Sequence, residues 1–324
     1  MSIEPAALLS ALRADRAVSG SDLAAQLGVT RAAVWKQIRG LRELGVAIDA
    51  AAGQGYRLAW PFEALDARAI RAELDPAMRR RLRGIAVHWQ IDSTNSQLLS
   101  DAAAGAADLG VCIAEMQSAG RGRRGRAWLS PLGANVYFSL LKRFARGMDA
   151  LAGLSLAVGV AVTQALEDCG ASGLGLKWPN DVLVDGRKLA GILIEVGGEF
   201  LGPCHAVIGI GINLRLPPDF DSGQPATDLV RVCAGAMPSR NRLVARLLVR
   251  LTAALDEFVD AGFTAFADRY ARRDALAGKA VRVQAANGVN EGMAIGVDAR
   301  GALCVRNADG VVAYDSAEVS VRVA

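Results

Sequence analysis

A chain of 324 residues, 52% of them hydrophobic and 22% charged, is long enough for two or three domains and too apolar to be disordered. A net charge of +4 permits a nucleic-acid partner without requiring one. The five scattered cysteines, Cys112, Cys169, Cys204, Cys233 and Cys304, form no CxxC or Cys/His cluster, which argues against a disulfide framework or structural zinc and for a reducing cytoplasm.

The first 62 residues read as a small helical module. Pro5 opens a helix carrying Leu8, Leu9 and Leu12, Ser21 caps a second with Leu23 and Leu27, and Gly28 makes a turn. Thr30 then caps a third helix, Arg31 to Leu44, ended by Gly45. Helix, Gly-containing turn and helix is the helix-turn-helix pattern. The third helix is the basic one, with Arg31, Lys36, Arg39 and Arg42 against the acid Glu43. Thr30, Arg31, Lys36 and Arg39 are therefore the candidate DNA contacts. Val46 to Asp49 and Tyr56 to Leu58 bracket Gly53-Gln54-Gly55 as a two-stranded wing. The competing reading is a three-helix module that binds protein or is vestigial.

Trp60-Pro61 marks a boundary, and a linker helix is expected within residues 63–83, followed there by the solvated charge run Arg79-Arg80-Arg81. From Gly84 short apolar strands alternate with helices. The strand Ile85 to Ile91 ends in Asp92-Ser93-Thr94-Asn95-Ser96, small polar side chains that serve either as helix caps or as readers of a neutral polar ligand. The next strand, Val111 to Ala114, precedes Glu115 and Gln117 and then Gly120-Arg121-Gly122-Arg123-Arg124-Gly125-Arg126, closed by Trp128. Four guanidinium groups and three glycines in seven residues make an anion-binding loop, since glycine lets backbone N–H groups approach and arginine offers planar donor forks. Its place between two apolar strands, the second being Val136 to Leu141, separates it from the Arg/Gly tails that bind RNA nonspecifically.

The uncharged run Ala150 to Leu166 falls short of the ~18 apolar residues of a membrane span and contains Ser155, Thr163 and Gln164, so it reads as a buried helix. The N-terminus shows no charged n-region followed by an apolar h-region, so neither a secretion signal nor membrane contact is expected. Lys177-Trp178-Pro179-Asn180-Asp181 delivers a lysine at the end of a strand just before a rigid turn, a preorganised cation of the kind that stabilises charge on phosphate oxygens. Asp185-Gly186 is a hairpin turn, and Lys188 enters the strand Leu189 to Glu195. Gly209 and Gly211 in the strand Val207 to Leu214 leave one face open to close approach. Leu243, Leu247, Leu251, Leu255 and Phe258 mark a core-facing helix. Beyond Leu276 short strands around Val281, Met293, Leu303 and Val319 to Val323, with turns such as Asn287-Gly288, predict a small barrel.

The arginine loop, the lysine turn with Arg187-Lys188-Leu189-Ala190-Gly191, and Ser93-Thr94-Asn95, in that company and with a winged module ahead of them, resemble the bacterial biotin protein ligases of the bifunctional kind, which also repress biotin synthesis. The resemblance covers essentially the whole length. It implies an α+β multidomain fold: a winged helix-turn-helix over 1–62, a linker helix in 63–83, a mixed α/β biotin/lipoate-ligase-type catalytic domain over 84–274, and a small SH3-like β-barrel over 275–324. It also implies a two-step reaction, in which biotin and ATP give biotinyl-5′-AMP and the biotinyl group passes to a lysine of the biotin carboxyl carrier protein of acetyl-CoA carboxylase. Mg²⁺ should accompany ATP, although no clustered carboxylates reveal its ligands.

By the same resemblance Ser93, Thr94, Asn95, Gln117, Arg121, Gly122, Arg123, Lys177, Gly191 and Gly209 bind biotin. Arg123, Arg124, Arg126, Trp128, Asn180 and Lys188 bind the nucleotide, with Trp128 set to stack on adenine. Lys177, Arg121 and Arg123 carry the catalysis by neutralising two anions that must meet. Asp181 is either a base for the incoming lysine or an Asx-turn residue. The remaining implied partners are operator DNA and, once the adenylate is bound, a second copy of the chain as a homodimer. The alternatives are a ligase whose winged module does not regulate and a ligand-sensing repressor without ligase activity.

Overall fold

The computed structural model describes residues 4–51, 53–217, 220–234, 238–285, 288–315 and 320–323. The expected turn residue Asn287 and the expected strand residue Val319 lie outside the described residues.

The N-terminal module consists of α1 (Pro5–Ala11), α2 (Gly20–Leu27) and α3 (Arg31–Glu43), followed by the antiparallel pair β1 (Ile48–Ala51) and β2 (Gly55–Leu58). Leu8, Leu9, Leu23, Val34, Ile38 and Leu41 form its core. Thr30 Oγ1 accepts the backbone N–H of Ala33 at 3.2 Å, capping α3. The cap of α2 is Ser19 rather than Ser21: its extended backbone precedes the helix and its hydroxyl accepts from Asp22 N at 3.0 Å. Arg42 Nε donates to Ile48 O at 2.8 Å, tying α3 to the wing.

Residues 63–83 hold two helices where one was expected, α4 (Ala67–Ala72) and α5 (Pro76–Arg81). Each is opened by its own aspartate: Asp66 accepts from Ala69 N at 2.7 Å and Asp75 from Met78 N at 2.8 Å. Pro76, with no N–H to give, starts a helix and cannot continue one. The residues before α4 are gripped from the catalytic side. Glu63 accepts the backbone N–H of Arg240 at 2.6 Å and the Asn241 amide at 2.8 Å, and Leu65 N donates to Glu115 Oε1 at 2.6 Å.

The central domain is a seven-stranded mixed sheet. Its strands are β3 (Gly84–Ile91), β4 (Gly110–Gln117), β5 (Asn135–Phe144), β6 (Leu174–Lys177), β7 (Asp181–Val184), β8 (Arg187–Gly198) and β9 (Cys204–Asn213), in the order β3-β4-β5-β9-β8-β7-β6. Only β3 and β4 run parallel, joined across α6 (Thr94–Ala103), as a parallel pair needs a crossover. The other pairs are antiparallel ladders. Leu98 and Ala102 of α6 pack with Cys112, Leu141 and Val207 on one face. Strand alternation turns Val111, Ile113, Val136, Phe138 and Leu140 to the other face, against α7 (Leu154–Glu167) and α9 (Arg240–Ala261). Gly153, in the left-handed region at φ 79°, starts α7 four residues later than the uncharged run suggests. Between β9 and α9 lies the short α8 (Leu229–Val232), and α10 (Ala267–Ala271) follows α9.

The C-terminal module is a five-stranded antiparallel sheet of β10 (Ala280–Ala285), β11 (Gly288–Val297), β12 (Leu303–Asn307), β13 (Gly310–Tyr314) and β14 (Ser320–Val323), ordered β13-β12-β11-β10-β14. Edge strand β13, absent from the sequence reading, is exposed from Gly310 to Ala313, so it lacks the apolar alternation by which the other strands announce themselves. The module docks beside the lysine turn. Buried Trp178 donates its indole N–H to Gly301 O at 3.0 Å, and Ala275 N donates to Leu176 O at 2.8 Å.

Candidate functional site

The site lies on the α6 face of the sheet, where β5, β9 and β8 turn Ser139, Gly209, Gly211, Gly191, Leu193 and Glu195 upward. Ser93 caps α6, accepting from Ser96 N at 3.4 Å, and this puts Thr94 and Asn95 in the helix's first turn, both buried. Gln117, at the end of β4, accepts from Thr94 N at 2.9 Å and Thr94 Oγ1 at 3.2 Å. Ser139 donates within reach of both Thr94 Oγ1 (2.7 Å) and Asn95 Oδ1 (2.6 Å). Asn95 Nδ2 in turn donates to Glu195 Oε2 at 2.8 Å. Gly209 is required beneath it, since a Cβ there would collide with the Asn95 amide. The four expected polar residues thus form one cradle. Ser139 and Glu195 belong to it although the sequence reading passed over both. The signal for them is register: Ser139 faces Gly209 across the β5–β9 ladder, and Glu195 is the one acid of β8.

The arginine loop is a hairpin. Trp128 N donates to Gly120 O at 2.8 Å, Gly122 N to Arg126 O at 2.7 Å, and Arg121 bridges Ala127. Its tip is a 3₁₀ turn, Arg123–Gly125, in which Arg124 (φ 57°) and Gly125 (φ 70°) take left-handed backbone. The root is latched to the cradle, because Arg121 Nη2 meets Glu195 Oε2, the oxygen that also holds Asn95, at 2.7 Å. Gly120 to Arg126 with Leu193 and Glu195 line an open cavity of about 550 Å³. Arg124 and Arg126 are exposed at its rim, while Gly122 and Arg123 are half-buried.

Beyond the hairpin lies a second cluster. Trp128 sits over the sheet, with Gly191 and Gly211 as its floor: a Cβ on Gly191 would lie 2.8 Å from the indole, and one on Gly211 would overlap it. Lys188 Nζ is 5.3 Å from the Trp128 ring centroid and 2.6 Å from Asp181 Oδ1. Asn180 Nδ2 donates to Ile192 O at 2.7 Å and Asn180 Oδ1 accepts from Arg123 Nη1 at 3.4 Å. Burial lowers the Arg123 guanidinium pKa below its usual value, with Asp181 opposing and Arg124 and Arg126 adding to the fall. Lys177 lies off the large cavity, at the end of β6. Burial depresses its pKa, Asp181 raises it, and Lys188, Arg322 and Arg126 lower it further. Arg322, on β14, is thus a charge of the C-terminal module that bears on this turn, and nothing in its own strand pattern announces it.

On α3, Arg31, Lys36 and Arg39 are exposed, and Arg39 pairs with Glu43 at 3.1 Å. Thr30 differs from them, its hydroxyl being committed to the cap.

A polar cradle and a guanidinium hairpin on one sheet face, joined to a winged helix, are the features of a ligase-type domain carried beside a DNA-binding module. The biotin/lipoate A/B protein ligase family matches residues 87–213, an HTH domain matches 6–57, and a biotin protein ligase C terminal domain matches 277–322. The chain belongs to the biotin protein ligase family. It is 37% identical to the bifunctional ligase/repressor BirA of Escherichia coli strain K12 over 98% of this chain and 97% of that protein. It is 39% identical to the biotin–[acetyl-CoA-carboxylase] ligase of Mycobacterium tuberculosis over 74% of this chain and 90% of that one. Among solved structures it is similar to the Aquifex aeolicus biotin protein ligase in complex with biotin and ATP, at TM-score 0.65 and 26% identity, covering 75% of this chain and 100% of that chain.

Proposed function

We propose that the chain joins biotin to ATP as biotinyl-5′-AMP, transfers the biotinyl group to a lysine of a biotin carboxyl carrier protein, and represses transcription through its winged helix. The observation that carries this reading is the single carboxylate oxygen of Glu195 shared by Asn95 of the cradle and Arg121 of the hairpin. It couples a pocket suited to a neutral ureido group to the cations that a carboxylate and a phosphate need.

In the first step an oxygen of biotin's carboxylate attacks the α-phosphorus and pyrophosphate leaves. Two anions approach, and Arg121, held by Glu195, and Arg123, held by Asn180, offset their repulsion, with Lys177 adding its charge from the end of β6. Ser93, Thr94, Asn95 and Gln117 hold the ureido ring. Gly122 lets the substrates lie close to the backbone, while Gly209 and Gly191 serve them indirectly by making room for the Asn95 amide and the Trp128 indole. Trp128, Lys188, Asn180, Arg124 and Arg126 take the nucleotide, the indole presenting its upper face to adenine.

In the second step the carrier's lysine amine attacks the acyl carbon, AMP leaves, and the amine's proton goes to solvent. Asp181 meets the Lys188 ammonium at 2.6 Å. Its role is to hold Lys188 in place. Mg²⁺ would travel on the triphosphate with its own waters. Among the described residues no group of three His, Cys, Asp or Glu side chains is arranged to cage it.

Operator binding falls to α3 and the wing. A homodimer of the adenylate-bound form suits a two-fold operator. The edge of β8 past Ile192, whose own backbone N–H and carbonyl are taken by Asn180, offers it a surface. No described helix is long and apolar enough to cross a membrane, and a cytoplasmic setting accords with the free thiols. Purified protein incubated with ATP, biotin and a carrier domain should label one carrier lysine. Absence of ATP-dependent labelling would defeat the ligase reading. A mobility shift of the DNA upstream of biotin genes, strengthened by biotin plus ATP, tests the repressor.

A further inference from the structure

Trp35 stands out in the N-terminal module, being the one large hydrophobic side chain exposed there, at 56%, among the described residues. It sits on α3, whose inner face, Val34, Ile38 and Leu41, is fully committed to the module's core. Spacing by four places Arg31, Trp35 and Arg39 in one outward stripe, with Ala32 and Lys36 in the stripe beside it. The Arg39 guanidinium carbon lies 5.6 Å from the Trp35 ring centroid, and Glu43 holds Arg39 from the other side at 3.1 Å. The indole is therefore oriented by a cation that is itself oriented, on a helix whose outward charge is positive.

Whatever covers this stripe must be anionic and must also offer an apolar spot. A B-DNA major groove does both, with phosphates along its walls and the thymine C5-methyl as its apolar feature. We infer that Trp35 is a specificity-determining residue that reads a thymine methyl in each operator half-site, with Arg31, Lys36 and Arg39 around it supplying phosphate and base-edge contacts. The inference rests on the DNA-binding reading above and deepens it: basic side chains alone would give affinity with little sequence preference.

The test uses the full chain with biotin and ATP and a pool of 40-base-pair duplexes with a randomised centre. Wild-type protein should enrich a motif with a required thymine in each half-site. W35A should lose preference at that position and keep its salt dependence, whereas K36A should keep the preference and flatten the salt slope by roughly one. In the selected duplex, replacing that thymine by deoxyuridine removes only the methyl. It should weaken wild-type binding about 3- to 10-fold, weaken W35F similarly, and leave W35A unchanged. Because Trp35 is exposed, W35A should melt with the wild type. An identical motif and affinity for W35A, a flat deoxyuridine series, or a W35A defect confined to self-association would overturn the inference. Failure of the wild type to enrich any duplex would instead overturn the DNA-binding reading beneath it.

Discussion

Arg240 of α9 and Glu115 of β4 form an ion pair at 2.7 Å with side chains only 2% and 3% exposed. The second Glu115 oxygen takes Leu65 N, and Arg240 also donates to Glu63 O at 2.7 Å and Asn135 O at 2.9 Å. The pair therefore fixes the chain between the DNA-binding and catalytic parts. Removing one partner strands a buried charge, so E115M should lose about 3 kcal/mol of stability. The E115M/R240M double variant should lose less than the sum of its singles. Urea unfolding of the four proteins decides this, and strict additivity would show that the two side chains act independently.

Glu195 offers one oxygen to both Asn95 and Arg121. E195A should raise KM for biotin by about tenfold or more, as Asn95 loses an acceptor in a buried setting, while E195Q, which can still accept, should fall between. Steady-state kinetics with biotin varied at saturating ATP give the result. Equal effects of the two substitutions would mean that charge rather than hydrogen bonding matters there.

Arg123 sits half-buried in the hairpin against Asn180. R123G should retain part of the adenylation rate but release biotinyl-5′-AMP, so that lysines of a bystander protein become labelled. The readout is bystander labelling beside the rate of pyrophosphate release. Tight retention of the intermediate by R123G would count against the hairpin as a cover for the mixed anhydride.

Gly211 forms the floor under Trp128. G211A places a methyl group where the indole lies, and should lower kcat/KM for ATP by roughly 10- to 100-fold with biotin affinity little changed, since a misplaced positioning group costs on that scale. Calorimetry with biotin alone separates the two substrates. A loss of biotin binding equal to the loss for ATP would refute the division of the site into cradle and nucleotide subsite.

Lys177 has a depressed pKa, chiefly through burial. A lysine so placed loses its charge at lower pH than it does in the unfolded chain, so the cationic form costs stability at neutral pH. That cost disappears as pH rises through the folded pKa, and stability attributable to Lys177 increases between the folded and unfolded values. Two results follow: K177M should melt higher than wild type at pH 7 while losing about 100-fold or more in adenylation. In addition, kcat/KM for ATP should decline on the alkaline side with an apparent pKa below 10.5, the ordinary lysine value. In K177R, whose guanidinium stays charged, that decline should be absent.

Those elements whose evidence is local were legible in the sequence. Gly28 and Thr30 announce α3, Asp185-Gly186 announces the β7–β8 hairpin, and the arginine loop is visible as composition alone. Residues that enter the site through strand pairing were not. Ser139 looks like any polar residue in an apolar strand until register sets it against Gly209, and Glu195 reads as an edge charge until Asn95 and Arg121 converge on it. Arg322 is 145 residues beyond Lys177 (322 − 177), and only the docking of the C-terminal sheet brings its charge to bear. Ser19 was missed for a smaller reason: two serines flank Gly20, and backbone conformation alone chooses between them.

Glu115 and Gln117 stand two residues apart on β4, one gripping the linker through Leu65 and the other gripping Thr94 of the ligand cradle. One strand is thus the common datum from which both halves of the molecule are measured. An insertion in the crossover between α6 and β4 would leave that spacing intact. A one-residue insertion between Glu115 and Gln117 would instead shift the grip on the linker against the grip on the ligand cradle.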